Sequence, residues 1–288
     1  PPGRNVARRR LVAPGMRALL ALVIAVTSFG ALAVAVPAQA APDQPWSSYP
    51  SLDRDPLGAN DWECRPTAER PYPAVIVHGT FGDRASLLDA LSYSLKSEGY
   101  CVFALDYGNR ATGPIEESAR ELDEYVDRVL ATTGAARVSL VGHSQGGMMP
   151  RYYIKHLGGD TLVEDLVGLA PSNHGTTVTG DSGSTQGCES CDQQTAGSAF
   201  LEALNTPDET PGDVDYTQVV TRYDEVVVPY TSGFLTGDRS TNITLQDYCP
   251  ANTAEHLTIP MDRQAIAWVL HAFDREGPAD PGAPIGCP

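Results

Sequence analysis

Short apolar runs alternate with amphipathic stretches between residues 74 and 170, and this alternation predicts strands separated by helices. The runs are rich in Val, Ile, Leu and Ala and lack an inside-outside alternation, which is typical of strands buried on both faces. The predicted strands are 74–77, 101–105, 138–141 and 166–169. The predicted helices carry Leu88, Leu91 and Leu95; then Ile115, Ala119, Leu122, Val126 and Val129 up to Gly134; then Met148, Tyr152 and His156. This order predicts an α/β fold, with a mostly parallel sheet and helices on both faces.

Residues 176–213 interrupt the alternation. The segment is rich in Gly, Ser, Thr, Gln and Asp, and it has no sustained apolar period. Structureless loops of this length are uncommon within a compact domain and are usually functional or disordered. We therefore interpret residues 176–213 as a lid or cap insertion that covers a pocket, with a disordered surface excursion as the alternative.

A G-x-S-x-G motif, Gly142 to Gly146, directly follows the predicted strand 138–141. The motif is a weak signal by itself, but a strand before it and a helical pattern after it favour a nucleophile elbow. In such an elbow a sharp strand-to-helix turn holds the serine, here Ser144, up into a pocket. Pro150 lies within the helical pattern that follows, so we expect a kink or a delayed helix start there.

A serine nucleophile at an elbow predicts an acid and then a histidine further along the chain. Asp224 is the candidate acid, because it follows the strand-like stretch 217–221 and precedes an apolar run. Glu225 is the neighbouring alternative.

His256 is the candidate base. It follows a predicted strand at 243–245 and precedes the C-terminal helix. His271 shares a polar helix face with Gln264 and Arg275, so we interpret it as a solvated histidine without a catalytic role.

The remaining parts of an acyl-transfer site are donors for an oxyanion and walls for the substrate. The backbone N–H groups of Thr80, in the loop after the first strand, and of Gln145 are the predicted oxyanion donors. Phe81 and Leu257 are predicted to line the substrate channel. In this chemistry His256 takes the proton of Ser144 and Asp224 fixes the imidazole tautomer, and no metal ion or organic cofactor is required.

The N-terminal region has the layout of a secretory signal peptide, with arginines before an apolar stretch from Ala18 to Val36 and then Ala38-Gln39-Ala40. We predict cleavage after Ala40 and a single domain over residues 41–288. The alternative is an uncleaved membrane anchor, since the apolar stretch is long for a signal peptide. The predicted location is extracellular.

Charge narrows the choice of partners. The formal charge is −16, and removal of residues 1–40, which hold five arginines and no acidic residue, makes it −21. A strongly negative surface charge favours solubility of the protein, and it argues against nucleic acid, which is also negatively charged, as a partner. We expect a monomer.

All six cysteines lie after residue 40, and an even number in an exported chain indicates disulfides. Sequence alone leaves many pairings open. The preferred set is Cys64–Cys101, Cys188–Cys191 and Cys249–Cys287, because it ties the N-terminal segment, the insertion and the C-terminal tail to the domain. A redox-active pair or half a zinc site at Cys188 and Cys191 fits less well, since neither a βαβ context nor a second ligand pair is present.

Most of residues 60–288 resemble the secreted class 2 triacylglycerol lipases of the α/β-hydrolase fold and, more distantly, Candida antarctica lipase B. The most specific stretches are 78–80, 142–147 and 224–229. The resemblance implies that Val226 and Val227 help to wall the channel, and it supports the first and third disulfides. The insertion has no counterpart in this resemblance.

The predicted function is that of a secreted serine carboxylic-ester hydrolase, a triacylglycerol lipase or esterase that works through an acyl-Ser144 intermediate. Its expected partners are a lipid or other carboxylic ester and a lipid–water interface. The same residues acting on polyesters, or transferring the acyl group to an alcohol, are an alternative within enzymes. A catalytically inactive hydrolase fold used for binding is the alternative from another class.

Overall fold

Six parallel strands form one sheet in this computed structural model, in the order β2-β1-β3-β4-β5-β6. The structure describes residues 51–178 and 187–287, so the predicted signal peptide lies outside the described residues. The strands are β1 (Ala74–Val77), β2 (Val102–Leu105), β3 (Val138–His143), β4 (Val163–Leu169), β5 (Asp215–Val220) and β6 (Ser240–Thr244).

Nine helical segments accompany the described strands. They are α1 (Asp89–Ser97), α2 (Gly108–Ala111), α3 (Ile115–Thr133), α4 (Gln145–Met148), α5 (Pro150–His156), α6 (Glu189–Gln193), α7 (Ala199–Asn205), α8 (Leu245–Tyr248) and α9 (Arg263–Phe273). Short 3₁₀ turns occur at Gly159–Thr161, Tyr230–Gly233 and Ile259–Met261. Across the described ranges, none of the helices has the length and apolar character needed to cross a bilayer.

The helices cover both faces of the sheet, which confirms the predicted α/β class. On one face α3 packs with the predicted apolar stripe, including Leu122 and Val126, fully buried, and α3 ends at Gly134 in the left-handed conformation (φ 73°). On the other face α1 and α9 bury Leu91 and Trp268. Every residue of β1, β2, β3 and β5 is buried, as expected for strands covered on both sides.

Parallel pairing brings the carboxyl ends of the strands to one edge of the sheet. Val77 of β1 lies beside Gly142 of β3, and His143 lies beside Leu169 of β4. The loops that follow β1, β3, β4 and β5 therefore begin at the same edge, where open α/β sheets place their ligand sites.

Pro150 divides the helix after Ser144, as predicted. α4 ends at Met148 and α5 begins at Pro150, while Met149 between them keeps helical dihedral angles (φ −54°, ψ −39°). Proline has no N–H to donate to the carbonyl of Gly146, so the helical hydrogen-bond ladder is interrupted at this residue.

Two local expectations near the C-terminus were wrong. Leu245 begins α8 instead of ending a strand. Gln264 is buried, not solvated: its Nε2 donates to the carbonyl of Leu245 (3.3 Å) and its Oε1 accepts from Asn252 Nδ2 (3.0 Å). His271 is half-buried, and its Nε2 accepts the N–H of Asp280 (3.2 Å). Gln264 and His271 thus form hydrogen bonds to neighbouring loops. The helical pattern of polar residues in α9 does not indicate such contacts.

The described part of the insertion, residues 176–178 and 187–213, contains helices α6 and α7, which the sequence did not predict. α7 is capped by Ser198 Oγ, which accepts the N–H of Leu201 (3.2 Å), and it buries Leu201 and Leu204. Each helix is too short to produce a sustained apolar period in the sequence.

All three predicted disulfides are present. They join Cys64 to Cys101, Cys188 to Cys191, and Cys249 to Cys287, with Cα–Cα distances of 5.7, 5.3 and 4.9 Å. No cysteine is free.

Candidate active site

Ser144 lies on a sharp turn between β3 and α4. Its φ of 56° and ψ of −124° are strained for a residue with a side chain, and its N–H donates to the carbonyl of Leu169 (2.9 Å). The flanking glycines are sterically required. A Cβ on Gly142 would lie 1.8 Å from the Gly146 carbonyl oxygen, and one on Gly146 would lie 2.4 Å from that of Val77. The sequence motif therefore forms the strand-to-helix turn that it predicts.

Asp224 and His256 are joined, although 32 residues separate them. Asp224 Oδ2 accepts a hydrogen bond from His256 Nδ1 (2.9 Å), and both side chains are almost fully buried. Asp224 Oδ1 accepts the N–H groups of Val226 (2.9 Å) and Val227 (2.7 Å), which fixes the carboxylate. Because an ionised carboxylate only accepts, the His256 proton lies on Nδ1 and Nε2 is left as a base.

His143, the second residue of the motif, holds the loop that carries His256. Its Nε2 donates to the carbonyl of His256 (2.8 Å), and the two ring centroids are 4.8 Å apart. Burial, followed by the neighbouring His256, lowers the pKa of His143 to about 3. His143 is therefore neutral near pH 7 and donates from Nε2.

The loop after β1 packs directly on Ser144. A Cβ on Gly79 would lie 3.1 Å from the Cβ of Ser144. Any side chain at position 79 would therefore push this loop, which includes Thr80, away from Ser144. Thr80 Oγ1 donates to Gln145 Oε1 (2.8 Å). Gln145 is the first residue of α4, so its N–H has no intrahelical acceptor, and the N–H of Thr80 has no acceptor within the described part of the chain. The two predicted oxyanion residues are thus side by side.

A cavity of about 320 Å³ opens at this edge of the sheet. Ser144, His143 and His256 line it, and so do all four residues predicted to form the channel, Phe81, Val226, Val227 and Leu257. Val226 and Leu257 are 44 % and 53 % exposed, so they lie at its mouth, whereas Val227 is buried. Apolar walls with a few polar groups are typical of sites for small organic ligands.

Sequence reasoning missed part of this wall. The additional lining residues include Ser86, Leu87, Ser172, Thr176, Cys191 and Gln194. The last three belong to the insertion, so the segment 176–213 does contribute to the pocket. No periodicity or motif marks these positions, and only the adjacent cysteine pair indicated that the segment is anchored. Within residues 51–178 and 187–287, no group of three or more His, Cys, Asp or Glu side chains is placed to hold a metal ion.

The sequence profile described as Lipase (class 2) matches residues 71–266, well over half of the chain. The chain belongs to the class 2 lipase family. The matched span includes the loop of Thr80, the elbow and both members of the Asp224–His256 pair. Membership of the family predicted from the motifs is therefore confirmed.

Relatives of this class 2 lipase family member include triacylglycerol lipases of Pseudarthrobacter phenanthrenivorans and Burkholderia plantarii. Each is 38 % identical over 87 residues, which is 28 % of this chain and 27 % or 24 % of the relative. The chain thus spans about a quarter of the length of these relatives.

Solved structures support the fold assignment. Lipase B of Aspergillus fumigatus superposes with a TM-score of 0.64 at 19 % identity, over 77 % of this chain and 60 % of that chain. A Bacillus licheniformis lipase in its mature form gives a TM-score of 0.57 at 14 % identity, over 68 % of this chain and 89 % of that one. At these identities the likeness shows the fold alone, and the fold is that of the α/β-hydrolases.

Proposed function

We propose that this member of the class 2 lipase family is a serine carboxylic-ester hydrolase that works through an acyl-Ser144 intermediate. One observation carries the proposal. The hydrogen bond from His256 Nδ1 to the fixed carboxylate of Asp224 leaves the lone pair on Nε2, and His256 lines the same cavity as Ser144. A buried carboxylate-oriented imidazole beside a serine on a strained turn is the arrangement that acyl transfer needs.

In the first half-reaction, Ser144 Oγ attacks the carbonyl carbon of the ester while His256 Nε2 takes the hydroxyl proton. The carbonyl oxygen becomes an oxyanion, which accepts hydrogen bonds from the N–H groups of Thr80 and Gln145. Asp224 stabilises the imidazolium without taking its proton. When the tetrahedral intermediate collapses, the bond to the alkoxy oxygen breaks and His256 gives that oxygen the proton. The alcohol leaves and Ser144 remains acylated.

In the second half-reaction, His256 takes a proton from water as the water oxygen attacks the acyl carbon. The same two N–H groups stabilise the second oxyanion. Collapse breaks the bond to Ser144 Oγ, which recovers its proton from His256, and the carboxylic acid leaves.

The walls of the cavity favour an uncharged ester with an apolar acyl group. Among the described lining residues there is no Asp, Glu, Lys or Arg, and Phe81, Leu87 and Val227 supply apolar surface. The exposed side chains of Val226 and Leu257 beside the mouth would contact a lipid–water interface. The formal charge of −16 favours neutral over anionic lipid surfaces. Triacylglycerols and related neutral esters are the substrate class proposed here.

We also propose that the protein is extracellular. Three disulfides with no free cysteine suit an oxidising compartment, and they agree with the signal peptide expected from residues 1–40.

The test is the kcat/KM profile on p-nitrophenyl esters from short to long acyl chains, with Ser144→Ala as the control. The expected result is turnover that the substitution abolishes, with medium or long chains preferred. Stoichiometric labelling of Ser144 by an organophosphonate should occur in the native protein and not in the variant.

Two results would redirect the proposal. Activity confined to acetate and butyrate, still dependent on Ser144, would identify an esterase instead of a lipase. Absence of both turnover and labelling would favour a catalytically inactive fold used for binding.

A further inference from the structure

Gln194 links the insertion to the loop that carries Thr80. It directly follows α6 as its C-cap, it is buried, and it lines the cavity. It belongs to no sequence motif, and two of its hydrogen-bond partners lie 22 and 114 residues away along the chain.

The amide of Gln194 is held on both sides. Its Nε2 donates to the carbonyl oxygen of Ser190 (3.1 Å) and to Thr80 Oγ1 (3.1 Å), and its Oε1 accepts from Ser172 Oγ (2.8 Å). A backbone carbonyl only accepts, so the side facing Ser190 must be the NH₂ group. This partner fixes the orientation of the amide without reference to either hydroxyl.

The hydroxyl of Thr80 links the amides of Gln194 and Gln145. It accepts from Gln194 Nε2 and donates its single proton to Gln145 Oε1 (2.8 Å). The hydrogen bonds thus run from Gln194 through Thr80 to Gln145. The backbone N–H groups of Thr80 and Gln145 are the ones proposed to hold the oxyanion. The insertion therefore reaches the oxyanion site through the side chain of Gln194.

We infer that Gln194 is a positioning residue for the oxyanion site. By donating to Thr80 Oγ1 it keeps the Thr80 loop against Gln145, so that both backbone N–H groups point to where negative charge develops. The inference rests on the proposed ester hydrolysis. Its kinetic consequence is specific, because donors placed for the transition state affect kcat more than KM.

Gln194→Met removes the amide while keeping the length of the side chain. Gln193→Met is the matched control. Gln193 is the last residue of α6, and its amide accepts the N–H of Ile115 (2.8 Å) and donates to Glu116 Oε2 (2.6 Å), away from the cavity. We expect Gln194→Met to lower kcat on p-nitrophenyl butyrate by about 10-fold with KM within about 2-fold. Gln193→Met should leave kcat within about 2-fold, whatever it does to the melting temperature.

Gln194→Glu supplies a second readout that does not depend on how Gln194→Met folds. An ionised carboxylate cannot donate to Thr80, and it places negative charge near the oxyanion, so kcat should fall further than in Gln194→Met. Protonation of the introduced carboxyl group restores one O–H donor. The ratio of its kcat to that of the native protein should therefore rise as the pH is lowered. Any pH effect that is common to both proteins cancels in this ratio.

The inference is overturned if Gln194→Met keeps kcat within about 2-fold of the native value, or if both methionine variants lower it equally. The inference is also overturned if the ratio of kcat in Gln194→Glu to kcat in the native protein does not change with pH. This ratio is the deciding measurement if Gln194→Met does not fold. Failure of the proposed function is a separate result: the native protein itself would then show no Ser144-dependent turnover.

Discussion

Gly79→Ala tests how closely the oxyanion loop must approach the nucleophile. The added Cβ would lie 3.1 Å from Ser144 Cβ, 3.1 Å from His143 Nδ1 and 3.2 Å from the His143 carbonyl oxygen. Carbon atoms in contact are normally about 3.5–4.0 Å apart, so the loop and Ser144 must separate by roughly 0.4–0.9 Å. Gly79 does not have a positive φ, so the substitution adds a steric conflict without backbone strain.

A displacement of this size has a calculable effect on the rate. Misplacement of reacting groups by about 1 Å can lower rates by about 100-fold, so we expect kcat/KM to fall by about 10- to 100-fold. This is a loss of about 1.4–2.8 kcal/mol of transition-state stabilisation. The assay is steady-state hydrolysis of p-nitrophenyl butyrate, with the rate of organophosphonate labelling as a direct measure of Ser144 reactivity.

Gly134→Ala is the control for a glycine substitution outside the site. Gly134 ends α3 with φ 73°, and its added Cβ would meet nothing within 4 Å, so the change strains the backbone by about 1–2 kcal/mol without steric conflict. It should lower the melting temperature and leave kcat/KM unchanged. If Gly79→Ala keeps kcat/KM within about 2-fold of the native value, the close approach to Ser144 has no kinetic importance and the reasoning is wrong.

Three further predictions concern other parts of the molecule. Asp224→Asn should lower kcat by about 10³- to 10⁴-fold, since an amide no longer enforces the Nδ1–H tautomer of His256; steady-state kinetics with a normal melting curve would show it. Burial raises the pKa of Asp165, so the folded state binds that proton more tightly than the unfolded state, and stability is lost as the pH rises above about 4. Asp165→Asn removes the cost of ionising this buried carboxyl group. The increase in free energy of unfolding that the substitution causes, measured by urea titration, should therefore become larger from pH 4 to pH 7. An increase that is independent of pH would contradict a raised pKa of Asp165. Replacing both Cys64 and Cys101 by serine opens a disulfide of sequence separation 37 and should lower the free energy of unfolding by about 4 kcal/mol, again by urea titration.

Local sequence was sufficient for the strands and for the elbow. Runs such as Ala74–Val77 have no polar position to expose, so they form strands covered on both faces. Gly142 and Gly146 are required by backbone contacts within or beside the turn itself, and the motif therefore carries its own geometry. Chain order then selected Asp224 and His256, and the structure brings those two side chains together.

Contacts between distant segments could not be predicted in this way. Gln264 looked solvated because its helix position is polar, yet it holds the loop of Asn252. The same applies to His143, whose partner is the backbone carbonyl of His256, 113 residues away. A backbone acceptor leaves no residue-type signal in the sequence.

The sequence by itself determined the α/β class, the turn at Ser144, the identity of its candidate partners and the expectation of three disulfides, because each depends on local pattern, chain order or cysteine number. It left the cysteine pairing open, and the structure has the preferred set. Only the tertiary structure decided which residues wall the cavity and how the insertion reaches the oxyanion site. Gln194 and Ser172 acquire their roles when α6 packs beside the loops that follow β1 and β4. The physical reason is that hydrogen bonds between separate loops depend on where the sheet brings those loops together, whereas the residue types alone are compatible with many surface positions.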